Sequence, residues 1–280
     1  MKVFSVKELA NSYITDLKSK GLSIGLVPTM GALHKGHLSL INNAKKDNDL
    51  VVVSIFVNPT QFNNSTDLEK YPRTLEEDLK KLKEINCDIA FTPETSEMYD
   101  KDEVAEMFDF EGLDKEMEGK FRDNHFNGVG TIVKKLFHVI EPDNAYFGEK
   151  DFQQLQIIRK LVQITHQSVN IIGCDIDREH DGLARSSRNM RLTPEHRASA
   201  PFIYKTITKA KEMTALFTPI EIEKWVVNEF KNHSNLQLEY FTIADESNLK
   251  TVTVFEQNKK HRAFIAVFAG EIRLIDNIAL

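Results

Sequence analysis

Apolar residues along the first 175 positions fall into two alternating patterns. "LSIGLV" (22–27) and "LVVVSIFV" (50–57) are short runs rich in β-branched residues with no polar alternation, as expected of strands buried on both faces. Elsewhere apolar positions recur at helical spacing. Residues 37–46 read as a helix, and over 73–85 Leu75, Leu79 and Leu82 mark one helical face, with Glu76, Glu77 and Lys80 on the others. "CDIAFTP" (87–93) predicts a third strand stopped by its proline. Val129, Ile132, Val133, Leu136, Phe137 and Ile140 trace a further helix, with Lys134 and Lys135 turned outward. The strand "NAYFG", a helix over about 151–165 and the strand "VNIIGC" follow.

Strand and helix alternating in this way predict an α/β fold, a Rossmann-like parallel sheet with helices on both faces. After Cys174 the pattern changes. Helical stretches over about 194–216 and 220–231 precede the strand-like runs "LQLEYFTI", "RAFIAVF" and "EIRLI". The expected organisation is a sheet domain over 1–175 and a smaller C-terminal α+β domain over 176–280.

Composition narrows the picture. With 280 residues, 41% hydrophobic and 28% charged, the chain can bury a real core. Lys plus Arg number 36 against 42 Asp plus Glu, a net charge of -6, which disfavours nucleic acid as a partner held by bulk positive charge. Cys87 and Cys174 are far apart, as expected of buried free thiols in a reducing compartment. The first residues meet charge at Lys7 and Glu8 and lack the apolar core of a signal peptide, and the run 50–57 is too short for a bilayer. The expectation is a soluble cytoplasmic protein with no membrane partner.

Candidate chemistry collects where strands end. In "VPTMGALHKGHLSL" a strand runs into a turn containing Gly31, and a helix begins near Lys35 or Gly36. The free N–H groups and dipole of such a helix start favour an anion such as phosphate. His34 and His37, three residues apart, project to one side and can donate to phosphate oxygens. An isolated H-x-x-H is more often a turn cap beside a solvated side chain, and a zinc pair would lack its remaining Cys or His ligands. The position after a parallel strand shifts the balance toward phosphate.

"FVNPTQFN" (56–63) follows the second strand, where Asn58 and Gln61 offer groups suited to a small polar carboxylate, or simply form an Asn-Pro-Thr turn. "YFGEKDFQQL" repeats the strand-turn-helix design. Lys150 can neutralise a phosphate, Gln154 lies one turn further on, and Asp151 is also a natural helix N-cap. In "DGLARSSRN" two serines and an arginine form a phosphate clamp or a polar linker. The G-x-x-x-x-G-K-[ST] loop is absent, so phosphates would not be held in the P-loop manner.

Taken together, "PTMGALHKGHLSL", "FVNPTQF", "YPRTLEEDLKKL", "HFNGVGTIVKKLF", "YFGEKDFQQLQIIRKLV", "DGLARSSRNMRLTPEHR" and the terminal "RLIDN" resemble the pantoate–β-alanine ligase family, in family order over nearly the whole chain. The H-x-G-H element alone indicates only a wider nucleotidyl-transferring superfamily. "NPTQF" with "GEKDFQQL" and "SSRN" is far more specific.

The resemblance implies condensation of pantoate with β-alanine through pantoyl adenylate, with ATP as substrate and Mg2+ on its phosphates. It implies that Met30, Gly31, Ala32, Leu33, His34, Lys35, Gly36 and His37 border ATP, with His34, His37 and Lys150 the catalytic candidates. His37 is the family's proton donor, read here as a donor to the phosphate whose charge grows in the transition state. Gly148, Glu149, Lys150, Asp151, Asp177, Arg185, Ser186, Ser187 and Arg188 complete the ATP set, and Gln61, Gln154 and Asn58 are the pantoate and β-alanine candidates. Glu77 and Asp78 are possible metal neighbours or solvated carboxylates on an exposed helix. The resemblance also implies a homodimer built on the N-terminal domain, and a smaller domain that closes over ATP.

The sequence departs from the family in three places. Apolar residues are usual where Asp177 and Arg185 stand, and Pro-Gly is usual where Asp123-Asn124 precede "HF". Arg185 is expected either to add a phosphate ligand or to point to solvent. One rival enzyme reading is an adenylyltransferase that keeps the nucleotide on its product. A catalytically silent nucleotide binder is the other reading, and it has little reason to retain His34, His37, Lys150 and Ser186 to Arg188 together.

Overall fold

Six strands form one parallel sheet: β1 (Lys2–Phe4), β2 (Ile24–Thr29), β3 (Leu50–Ile55), β4 (Ile89–Phe91), β5 (Asn144–Gly148) and β6 (Asn170–Cys174), in spatial order β1-β4-β3-β2-β5-β6. The computed structural model describes residues 1–62 and 65–280, so Asn63, the end of the expected 56–63 segment, lies outside the described residues. Central pairing runs in register from Ile24 opposite Leu50 to Thr29 opposite Ile55. Val51, Val52 and Val53 are each 0% exposed, which is why the run reads as unbroken apolar sequence. Each such side chain contributes about 1.5–3 kcal/mol by leaving water.

The helices that accompany this sheet are α1 (Lys7–Ser19), α2 (Lys35–Asp47), α3 (Ser65–Glu69), α4 (Leu75–Glu84), α5 (Thr95–Met98), α6 (Glu118–Phe121), α7 (His125–Ile140) and α8 (Phe152–Thr165). The chain runs outward from β2 to β3 and β4, then returns on the other side of β2 as β5. That reversal makes the carboxyl ends of β2 and β5 the expected place for a ligand. β1 and α1 do not show in the hydrophobic pattern, since only Ala10 and Ile14 of the helix are buried.

On α4 the expected face is rotated. The helix begins at Leu75 rather than residue 73, Leu75 is 44% exposed, and Asp78 and Leu82 are both 0% exposed. A carboxylate thus occupies an inward position that the leucine spacing had assigned to apolar residues.

The division into two compact units is Met1–Glu149 with Gln154–Asp175, and Lys150–Gln153 with Ile176–Leu280. It departs from a single boundary at residue 175 by one short piece, Lys150–Gln153, which belongs with the second unit. That unit has an antiparallel sheet, β7 (Gln237–Asp245), β8 (His261–Ala269) and β9 (Ile272–Ala279), in the order β7-β8-β9. Its helices are α9 (Pro194–Ser199), α10 (Phe202–Met213) and α11 (Pro219–Lys231). The single helical stretch expected over 194–216 is broken at Pro201, which lacks the N–H that an uninterrupted helix would use. Ile203, Ile207, Ile222, Val226 and Ile265 form the heart of its core. The architecture is the α/β sheet unit with a smaller α+β unit.

Candidate active site

The turn after β2 is held from three directions. Thr29 Oγ1 donates to the Ser54 carbonyl at 2.8 Å and accepts from Gly31 N–H at 3.2 Å. Gly31 and Ala32 both have positive φ, +80° and +49°. For Ala32 that conformation costs on the order of 1–2 kcal/mol, so something must compel it. The compelling group is Asp78, whose carboxylate accepts from Ala32 N–H at 2.8 Å and Leu33 N–H at 2.7 Å. Lys81, one helical turn on, donates to the Leu33 carbonyl at 2.7 Å.

Asp78 is therefore not the solvated carboxylate of an exposed helix face. It is fully buried, also accepts from Thr74 Oγ1 at 3.1 Å, and has its oxygens committed to the turn. Glu77 is exposed.

With the turn fixed, α2 starts at Lys35 and His34 is its N-cap in extended conformation. His34 N–H donates to His37 Nδ1 at 3.3 Å, and the two rings lie with centroids 4.0 Å apart. An accepting Nδ1 puts the proton of a neutral imidazole on Nε2, so His37 presents an N–H donor on its other edge. Both histidines stand at the positive end of a 13-residue helix and cap its first turn reciprocally.

After β3, a 3-10 turn spans Pro59–Gln61. Asn58 is 1% exposed and fully engaged: its Nδ2 donates to Gln61 Oε1 and the Gly128 carbonyl, both at 3.1 Å, while its Oδ1 accepts from Tyr99 Oη at 2.7 Å and Thr60 Oγ1 at 3.1 Å. Asn58 thus orients Gln61, rather than standing open as a separate ligand group. Gln61 Nε2 points to Met30 Sδ at 3.1 Å, which joins the two turns. His125 Nδ1 lies 2.9 Å from the Gln61 carbonyl, and a Cβ on Gly128 would come within 2.8 Å of Gln61 Cα. Glycine in "HFNGVG" is what lets α7 pack so close to that turn.

At the end of β5, Gly148 closes the strand and a 3-10 turn over Glu149–Asp151 leads into α8. Gln154 is half-buried and belongs with the first unit.

The second unit carries the remaining candidates. Lys150 Nζ is 3.4 Å from Asp151 Oδ1, and Asp151 is exposed. Ser186 caps a 3-10 turn over Ser187–Arg191 by accepting Arg188 N–H at 3.3 Å, and Ser187 is buried.

The two charged departures from the family find each other. Arg185 Nε lies 2.7 Å from Asp177 Oδ2 and its Nη1 lies 2.6 Å from Glu179 Oε1. Arg185 N–H also donates to the Asp177 carbonyl at 3.0 Å. Arg185 neither points to solvent nor offers a free guanidinium, because two carboxylates hold it.

The third departure also has a reason: Asn124 caps α7 in the left-handed region at φ +57°. Asparagine tolerates that region better than other residues with a side chain, so it can stand where the family has glycine.

Among the described residues no group of three or more His, Cys, Asp or Glu could hold a metal ion. The sequence pattern missed Lys81, Tyr99 and His125 as supports. Only the i, i+4 pairing of Asp78 with buried Leu82 offered a local signal.

The chain matches the family described as pantoate-beta-alanine ligase over residues 2–279. It is 56% identical to the pantothenate synthetase of Christiangramia forsetii, covering 100% of this chain and 99% of that protein. It is 51% identical to the Flavobacterium psychrophilum pantothenate synthetase, with 100% of each covered. Its structure resembles that of the Thermus thermophilus pantothenate synthetase with a TM-score of 0.89 at 35% identity, covering 99% of both chains. It also resembles a Francisella tularensis pantoate-beta-alanine ligase complexed with beta-gamma ATP and beta-alanine, with a TM-score of 0.82 at 36% identity, covering 100% of this chain and 97% of that one. With the motifs in family order and both sheets accounted for, the chain belongs to the pantoate–β-alanine ligase family.

Proposed function

We propose that this chain condenses pantoate with β-alanine to give pantothenate, AMP and pyrophosphate. The observation that carries this reading is family membership over residues 2–279, joined to a strained, clamped turn that puts two histidines at a helix start. It is an enzyme of the ligase class, and the adenylyltransferase alternative is not favoured.

In the first step a pantoate carboxylate oxygen attacks the α-phosphorus of ATP, and the bond to pyrophosphate breaks. In the second, the β-alanine amine attacks the acyl carbon, the C–O bond to AMP breaks, and AMP leaves with the electron pair while the amine proton passes to solvent. Neither step needs a covalent bond to the protein, so its work is placement and charge stabilisation.

The His37 Nε2–H, fixed by the Nδ1 contact to His34 N–H at 3.3 Å, donates to the phosphate that gains charge. The α2 N–H groups and His34 hold the same phosphates. Gln61, oriented by Asn58, holds pantoate together with Gln154, and Gln61 also borders β-alanine. Lys150, Ser186, Ser187 and Arg188 of the second unit take phosphate oxygens, while Gly148, Glu149, Asp151 and Asp177 border the nucleotide. Arg185 supports this set through its pairs with Asp177 and Glu179 rather than as a ligand. Mg2+ bound with ATP would shield the phosphate charge from the incoming carboxylate. The enzyme is a cytoplasmic homodimer, and sedimentation at two protein concentrations tests that state.

The deciding experiment is AMP release by the purified protein with ATP, Mg2+, pantoate and β-alanine, omitting each in turn. AMP together with pantothenate only in the full mixture is the expected result. ATP turnover that leaves no free AMP would overturn the ligase reading in favour of nucleotidyl transfer.

A further inference from the structure

Asn277 is a polar residue in the interior of strand β9, 1% exposed, with both ends of its amide used. Its Nδ2 donates to the Lys150 carbonyl at 2.9 Å, and its Oδ1 accepts from Arg262 Nη1 at 2.6 Å. The guanidinium settles which way the amide faces, because a flipped amide would set N–H against N–H. Arg262 is itself held: its Nε donates to Glu246 at 2.8 Å and its guanidinium lies 3.9 Å from the centre of the Phe152 ring. Phe152 packs with Phe264 at 6.0 Å between centroids. These contacts explain why Lys150–Gln153 belongs with the second unit. The neighbouring residue Asp276 does similar work on another segment. It takes Arg178 in a two-pronged pair at 2.6 and 2.9 Å, and Arg178 donates to the Gly182 carbonyl at 3.0 Å, a few residues before Ser186.

We propose that Asn277 is a positioning residue for Lys150: by holding the Lys150 carbonyl, it sets where the lysine ammonium can meet phosphate. The proposal rests on the reading of Lys150 as a phosphate ligand. A buried asparagine that served packing alone would be replaceable by apolar residues, whereas this one aims its donor at the main chain of the candidate lysine. Misplacing a catalytic cation by about 1 Å is enough to cost a large rate factor.

The test is a double-mutant cycle read in both ATP affinity and kcat for AMP release, on the full-length chain. Asn277→Asp keeps the acceptor for Arg262 and removes the donor to Lys150, and Asn277→Ala removes both. Melting temperature is followed for each variant, and if the alanine variant does not fold, the aspartate variant carries the cycle. The expected result is a loss of about tenfold in kcat or ATP affinity for Asn277→Asp, falling below about twofold when the same change is made in Lys150→Ala. A purely structural role predicts equal losses in both backgrounds, and that result would overturn the proposal. So would Asn277→Asp within about twofold of wild type in both readouts. Wild type that binds ATP but makes no pantothenate would sink the ligase reading while the affinity cycle still decides this one. Pantothenate formation with an additive cycle would remove this inference alone, and wild type that binds no ATP would remove both.

Discussion

Asp78 accepts the backbone N–H of Ala32 at 2.8 Å across 46 residues of sequence, and through it holds a left-handed alanine in the turn that precedes the histidine pair. The same carboxylate takes Leu33 N–H at 2.7 Å, so a single buried charge satisfies two successive backbone donors. A strained turn persists when its surroundings over-determine it, and here they do.

Replacing Asp78 by Ala leaves both N–H groups buried without an acceptor. The expected cost is on the order of 3 kcal/mol of stability. Asp78→Asn, which offers one acceptor oxygen, costs less but still displaces Leu33 or Ala32. Both variants are expected to raise KM for ATP and to cut AMP release about tenfold or more, whereas pantoate KM moves less. Denaturant melts with steady-state kinetics check this, and an Asp78→Ala variant of unchanged activity would mean that the turn holds itself.

His37 is only half-buried, so its ring is not a core residue. His37→Ala is expected to slow adenylate formation by about a hundredfold, as removal of one transition-state donor does, with little change in melting temperature. Pyrophosphate release in a single turnover gives the rate, and unfolding in place of selective inactivation would return His37 to a structural role.

The Arg185–Asp177 pair predicts a specific pattern of mutant stabilities. Arg185→Leu alone leaves Asp177 and Glu179 facing each other without their cation. The double variant Asp177→Leu with Arg185→Leu restores two apolar residues where relatives of the family usually have them. The side chains are 18% and 32% exposed, so solvent screens the pair and the coupling is expected to be about 0.5–1 kcal/mol. Thermal melts of the two singles and the double measure it. Additive losses would mean that the pair contributes nothing beyond its separate contacts.

Tyr99 links alkaline stability to the turn that carries Asn58 and Gln61. Burial pushes its phenol up to about 12. A raised folded value means that the neutral phenol is favoured by folding. That contribution is fully present below the ordinary value of about 10 and is lost as pH rises from about 10 to about 12. Tyr99→Phe is therefore expected to flatten the loss of stability between pH 10 and 12. At neutral pH it removes the 2.7 Å bond to Asn58 Oδ1 and is expected to raise KM for pantoate by loosening Gln61. Urea titrations at several pH values separate the two effects, and identical alkaline limbs for both proteins would refute the assignment to Tyr99.

Much of this was legible along the chain. β-branched runs at 22–27 and 50–57 announce strands buried on two faces, and the turns that follow them in a parallel sheet must share one edge, so Gly31, His34, His37 and Gln61 can be placed together without coordinates. Sequence alone thus determined the α/β class, the strand ends and the residue types with affinity for phosphate, because hydrophobic period and turn chemistry are local properties. Tertiary structure decided who holds those residues in place. That Asp78 holds Ala32 across 46 residues, that Asn58 reaches Gly128 across 70, and that Lys150 is tied to Asn277 across 127 are contacts between segments distant in sequence. No local periodicity encodes such partners. A buried carboxylate or amide is worth keeping only when a specific donor or acceptor meets it, and that meeting exists only once the chain has folded.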